Sequence, residues 1–237
     1  MNTAKNKNVL LITLFALVAC ILHAVMLQTP FNNYAYTSMF KVAVFIICPL
    51  IYLKISKEMT VKEFFSLFSM NKDAKNIKFS FLLGFGVFTI IVIGFIMIAR
   101  PFLDGAMIAN ALDSYGITRN NAVFVFFYIV LINAAIEELF FRGFVFLSLH
   151  RMGFKRYAHL FSALLFAVYH ATILNAAMAP WMFALCMLGL VGAGLFFNAL
   201  TVKCKSIGGA LIVHISANLA LTAIIGVYYM GIFNIGG

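Results

Sequence analysis

Long apolar runs alternate with short polar, mostly basic stretches along the whole chain. Seven of these runs approach the roughly 20 residues that a helix needs to cross a bilayer. They are Val9–Met26, Tyr36–Leu53, Phe79–Ala99, a run that begins near Asn121 and continues past Glu137 and Glu138, His159–Ala177, Trp181–Leu200 and Ile207–Tyr229. A break inside the last run would split it and make eight. Pro49 predicts a kink in the second. The first run follows Lys5 and Lys7, but Ala19 and Ala24 make no A-x-A cleavage site, so it reads as a retained span and not as a signal peptide. The predicted fold is all-α: a polytopic membrane helix bundle forming one integral membrane domain over residues 1–237.

Composition narrows the class further. Hydrophobic residues make up 64% of the chain and charged residues only 10%, against roughly 25% charged in a soluble domain. This excludes a disordered chain, a coiled coil and a water-soluble globule. The net charge of +10 would invite a nucleic-acid reading in a soluble protein. Here the basic residues lie between apolar runs, where anionic headgroups attract them, so lipid and not nucleic acid is the expected partner.

Placing the N-terminus inside gathers 14 of the 17 basic residues on the inner side, from Lys5 and Lys7 through Lys54–Lys78 (Lys72 among them) to Arg142–Arg156, Lys203 and Lys205. Lys41, Arg100 and Arg119 are left outside or near the outer end of a span. The expected location is the cell membrane, multi-pass, with a cytoplasmic N-terminus. Within the inner stretch, Thr60 and Glu63 form a T-x-x-E capping box ahead of Phe64, Phe65, Leu67 and Phe68, which predicts a short anchoring helix in the interface. Gly189, Gly192, Ala193 and Gly194 predict close helix packing. Cys20, Cys48, Cys186 and Cys204 have no CxxC or zinc-ribbon spacing and read as small buried hydrophobes.

Ionisable groups inside spans are costly and default to function or tight pairing. The stretch Asn133-Ala134-Ala135-Ile136-Glu137-Glu138-Leu139-Phe140-Phe141-Arg142 ends an apolar run with two adjacent acids. On a helix Glu138 and Arg142 share a face, while Glu137 points about 100° away. His170 lies inside the fifth span, one turn after Phe166 and beside Tyr169. His214 and Asn218 share a face of the seventh. Each group alone is explained by a helix-end salt bridge or by polar glue between helices. Together, three spans bring carboxylates, an imidazole, and an imidazole with an amide into the membrane from one side. His23 has no obvious partner within the membrane, and His150 and His159 lie in or beside the basic inner loop; all three read as structural or interfacial.

The set has the parts for peptide hydrolysis by direct attack of water. A carboxylate in an apolar setting can take a proton from water, a histidine can hold that water, and a second histidine with an amide can stabilise an oxyanion. No serine or cysteine triad is visible; Ser216 turns off the face shared by His214 and Asn218. One glutamate and two histidines also match a zinc-binding set, although HExxH is absent.

These motifs resemble those of a known family. Glu137-Glu138 with Arg142 matches EExxxR, Phe166 with His170 matches FxxxH, and His214 with Asn218 matches HxxxN. The order and the placement on separate late spans also agree. The family is the CAAX-prenyl-protease and bacteriocin-processing (CPBP, or Abi) intramembrane proteases, which include the eukaryotic endopeptidases that trim prenylated proteins. The resemblance covers the catalytic core, about residues 121–222. It implies that Glu137 is the general base, that His170 orients the water, that His214 and Asn218 form the oxyanion hole, and that Glu138, Arg142 and Phe166 support the site. It implies a cavity open to the cytoplasmic side and a membrane-embedded or membrane-associated protein or peptide substrate. A metal-free, glutamate-dependent mechanism is the favoured expectation; a metal-dependent one would use Glu137, His170 and His214 to hold a divalent ion such as zinc. Two competing functions remain on the residues alone: a non-enzymatic bacteriocin immunity or membrane scaffold protein, and a proton-coupled transporter. The transporter is weakened because no inverted repeat or paired broken helices are evident.

Overall fold

A computed structural model describes residues 2–30, 33–57, 59–69, 74–100, 105–174 and 180–229. Lys72 and residues 175–177 of the fifth expected span lie outside them. Lipid cannot hydrogen-bond a bare backbone, so a chain this apolar must satisfy its peptide groups internally. The described residues form helices joined by turns. They are α1 (Asn2–Met26), α2 (Tyr34–Ser56), α3 (Val61–Phe65), α4 (Ala74–Gly94), α5 (Gly105–Ser114), α6 (Ala122–Arg151), α7 (Lys155–Leu174), α8 (Pro180–Cys204) and α9 (Gly208–Tyr229). The outward faces are apolar, with Phe124 77% and Phe85 70% exposed. A contiguous surface of that kind fits acyl chains and would be an association patch in water.

Among the described residues, six helices are long and apolar enough to cross a membrane: α1, α2, α4, α6, α8 and α9. The molecule is a multi-pass membrane protein, and the expected count of seven or eight is corrected. α7 opens with Lys155, Arg156 and His159 and carries Ser162, Tyr169 and His170. Its described apolar length therefore falls short of the roughly 20 residues of a span. α9 runs unbroken from Gly208 to Tyr229, so the break that would have made an eighth span is absent. α2 likewise continues through Pro49.

The expected short helix is present as α3, followed by a 3-10 turn over Ser66–Phe68, and its Phe64 and the following Leu67 are buried in the protein core. The Thr60 hydroxyl accepts from the Glu63 N–H, and the Glu63 carboxylate accepts from the Thr60 N–H at 2.7 Å. The Thr60 N–H bond, the larger cause, and a second bond from the Thr60 hydroxyl at 2.9 Å hold the Glu63 carboxyl below its ordinary range.

α6 is the central rod, and it is wound unevenly. Two π-helical stretches, Tyr128–Asn133 and Leu139–Phe146, flank one α-helical turn, Ala134–Glu138. Such wide turns are frequent at functional sites. Each contains a carbonyl that accepts from a neighbouring helix: Ile129 from the Asn218 amide at 3.0 Å and Phe141 from the Ser162 hydroxyl at 2.9 Å. The core around α6 is aromatic, with Phe140 stacked on Phe45 of α2 at 4.0 Å and Phe141 edge-on to Phe166 of α7.

The small residues of α8 do not act alike. A Cβ on Gly194 would stand 2.8 Å from the Ala163 Cα, so α7 and α8 touch backbone to side chain there. Gly189 and Gly192 face open space.

Two ends of the bundle are defined by contacts between distant loops. At one, Leu67 O accepts from the Ile207 N–H and from the Ser206 hydroxyl, and the Asn76 amide donates to Lys203 O. At the other, the Tyr34 N–H donates to Tyr115 O and the Tyr229 hydroxyl to Ile117 O.

Candidate active site

The short α turn of α6 points Glu137 and Glu138 in two directions, and each meets its own set of partners. Glu138 is fully buried and lies 3.1 Å from Arg142 Nη1, one turn on along the same helix. The guanidinium has the Phe166 ring at 4.3 Å and the Phe197 ring at 4.8 Å. Its charge is therefore balanced by one carboxylate and by two aromatic faces. The same Glu138 Oε1 lies 2.8 Å from His214 Nδ1. His214 is further fixed by Phe197, which stacks on it at 5.4 Å, and by the edge of Phe166.

Glu137 is buried on the other side of the turn, and its two oxygens differ sharply. Oε1 accepts from the Asn133 amide at 3.0 Å, from the Tyr169 hydroxyl at 3.1 Å and from Lys41 Nζ at 3.3 Å. Lys41 also donates to Asn133 Oδ1. Oε2 is buried with no hydrogen-bond partner among the described residues. It faces His170 Nε2 at 3.8 Å and His214 Nε2 at 3.7 Å.

The outer hydrogen bonds set the tautomers of both rings. His170 Nδ1 lies 2.8 Å from the Phe166 carbonyl, an acceptor only, so Nδ1 carries the hydrogen. His214 Nδ1 meets a carboxylate, with the same result. In its neutral form each ring would therefore turn an Nε2 lone pair toward Glu137 Oε2. Among the described residues, no group of three or more His, Cys, Asp and Glu is placed to hold a metal ion.

Three helices thus bring Glu137, Glu138, Arg142, Phe166, His170 and His214 together. Asn218 is on the same helix as His214, but one amide hydrogen is given to Ile129 O. Ser216 bonds back to Ile212 O within α9.

Lys41 is a site residue that the sequence reading missed: it is 6% exposed and pairs with Glu137. Its position six residues into an apolar run was the available signal. Asn133 could have been found from its spacing, one turn before Glu137. His23 also has partners within the bundle, its ring lying 5.2 Å from Tyr169 and 6.3 Å from Phe45. Tyr169 in turn carries a hydroxyl bonded to Glu137, so α1 and α2 both back the site.

Fold and site together define a multi-pass helical membrane protein with a buried Glu/His/Lys cluster built on three motifs. Residues 119–220 match the family model Rce1-like, described as Type II CAAX prenyl endopeptidase Rce1-like, and form a domain of the CPBP/Rce1-like CAAX protease family. No curated protein and no solved structure matches the chain.

Proposed function

We propose that this protein is an intramembrane endopeptidase that hydrolyses peptide bonds of membrane-associated proteins or peptides with water activated by Glu137. The observation that carries this reading is the convergence of His170 Nε2 and His214 Nε2 on Glu137 Oε2, at 3.8 Å and 3.7 Å. Acceptors brought this close need a shared donor, and water is the donor that is also a nucleophile.

In this reading Glu137 Oε2 takes a proton from the water as its oxygen attacks the peptide carbonyl carbon. The same proton then passes to the leaving nitrogen as the C–N bond breaks, giving a carboxylic acid and an amine; the second hydrogen of the water then moves from the acid to the amine, leaving a carboxylate and an ammonium. His170 holds the water. Asn218 keeps one amide hydrogen beyond the one given to Ile129, and His214 in its imidazolium form, which takes its extra proton from solvent before the attack and keeps it throughout, donates from Nε2; these two serve the oxyanion. The Glu138 carboxylate at 2.8 Å stabilises that imidazolium. The reading requires no metal: Glu137 is the base and water the nucleophile.

The active side faces the cytoplasm in this proposal. At the end of the bundle where Asn76 bonds to Lys203 and Ser206 to Leu67 lie Lys75, Lys203 and Lys205, as the positive-inside rule expects of a cytoplasmic face. The test uses the full chain in liposomes with a set of membrane-anchored peptides in ¹⁸O water. New C-termini carrying one ¹⁸O, lost in Glu137→Ala and His170→Ala proteins that still fold, are expected. Cleavage that survives both substitutions overturns the reading.

A further inference from the structure

We infer that Lys41, on α2 and outside the family-matched segment, is a positioning residue that decides which oxygen of Glu137 does the chemistry. This deepens the proteolytic reading and rests on it.

A carboxylate can present either oxygen by a half turn about its terminal bond, and nothing covalent distinguishes them. Here the two are made unequal. Asn133, Tyr169 and Lys41 all donate to Oε1, and no described residue donates to Oε2. Three donors saturate one oxygen, so exchanging the two would break three bonds in a buried setting. Oε2 is thereby held toward His170 and His214.

Lys41 acts in this lock twice. Its ammonium is the only full positive charge among the three donors to Oε1, and it comes from a different helix. It also donates to Asn133 Oδ1. That bond fixes which way the Asn133 amide is turned, because an amide with its oxygen on Lys41 must present its nitrogen to Glu137. Remove Lys41, and Asn133 can flip to set its oxygen against the carboxylate, releasing a second donor. The Lys41 ring contact with Tyr169, 5.9 Å to the centroid, places the ammonium beside the third donor as well. The packing follows the same logic: Phe45, one turn after Lys41, stacks on Phe140 and fixes the height of α2 against α6.

The test measures kcat and KM separately for wild type, Lys41→Arg, Lys41→Met and Lys41→Gln on one membrane-anchored peptide. Melting temperature in the same detergent serves as the folding control. Because Lys41 touches no substrate, KM is expected to stay within about threefold, while kcat falls at least about 100-fold in Lys41→Met, the scale of losing general-base function. Lys41→Arg keeps charge and donors and is expected to restore at least a tenth of kcat. Lys41→Gln, which keeps a donor without the charge, replaces Lys41→Met where that variant melts too low to assay. A folded Lys41→Met or Lys41→Gln protein with kcat within threefold of wild type overturns the inference, as does an arginine variant no better than the neutral ones. Absence of cleavage by wild type overturns the proteolytic reading and this inference with it. Loss of activity in Glu137→Ala alone, with both neutral Lys41 variants active, overturns only the role of Lys41.

Discussion

Glu138 Oε1 lies 2.8 Å from His214 Nδ1 and 3.1 Å from Arg142 Nη1, so one carboxylate oxygen joins a helix-internal cation to an imidazole on another helix. Glu138 is thus the electrostatic counterpart of two groups that would otherwise be buried alone. Replacing it by Gln leaves the guanidinium without a counter-charge, for which the expected loss is about 3–5 kcal/mol of stability. The double variant Glu138→Gln, Arg142→Met is expected to recover most of it. Thermal unfolding in detergent, read as a double-mutant cycle, checks this; independent, additive losses would contradict the coupling.

The proposed base, Glu137, makes a different prediction. Glu137→Gln keeps the shape of the side chain and can still accept from Lys41, Asn133 and Tyr169, so the protein is expected to fold. Cleavage is expected to fall by about 10²–10⁴-fold. His170→Ala removes the water-holding lone pair and is expected to lower kcat without unfolding the chain, because its Nδ1 bond is only to the Phe166 carbonyl of its own helix. The assay is single-turnover cleavage at saturating substrate.

Much of this cluster was legible in the primary structure, because intramembrane charge is rare and helical spacing is simple. Glu138 and Arg142, and His214 and Asn218, are each four apart, and each pair was read correctly as sharing a face. Lys41 was missed because a lysine a few residues inside an apolar run can reach the interface along its own stem. Only the position of α6 shows that it turns inward. The bond from Asn218 to Ile129 was also out of reach, because no residue pattern marks the wide turn that contains that carbonyl. The span count erred where α7 trades apolar length for chemistry.

Close packing of α7 on α8 depends on one glycine. Gly194→Val is expected to destabilise by about 1–3 kcal/mol, since even its Cβ would press on the Ala163 backbone. Gly192→Ala, facing open space, is expected to stay within about 0.5 kcal/mol of wild type. Melting temperatures of the two variants separate these cases; equal effects would show that the crossing is not the constraint.

The short helix α3 carries a pH signature. The Glu63 carboxyl is held low in the folded chain, so the stabilisation from its cap is fully present above the unfolded carboxyl range and is lost as pH falls through the folded value. Protection factors at residues 61–65 are expected to fall on acidification, once corrected for the intrinsic exchange rate, and to become insensitive to pH in Glu63→Ala. Unchanged protection in that variant would remove the cap from the account.

A metal-independent reaction predicts that chelation with 1,10-phenanthroline leaves the cleavage rate unchanged and that purified active protein carries no stoichiometric zinc. A one-to-one zinc content that disappears in His170→Ala and His214→Ala would move the proposal to the metal-dependent form on Glu137, His170 and His214.

The two wide turns of α6 have a consequence for how this rod can change over time. Each inserts surplus backbone into the winding, so the bearing of every later side chain depends on keeping that surplus. Deleting one residue between Tyr128 and Asn133 would swing the acidic pair by about 100° away from both imidazoles, even though each motif would still read intact in the gene. Replacements along this rod are therefore tolerable where single-residue deletions are not, and the spelling of EExxxR keeps the acidic pair aimed at both imidazoles only when the length of helix ahead of it is kept as well.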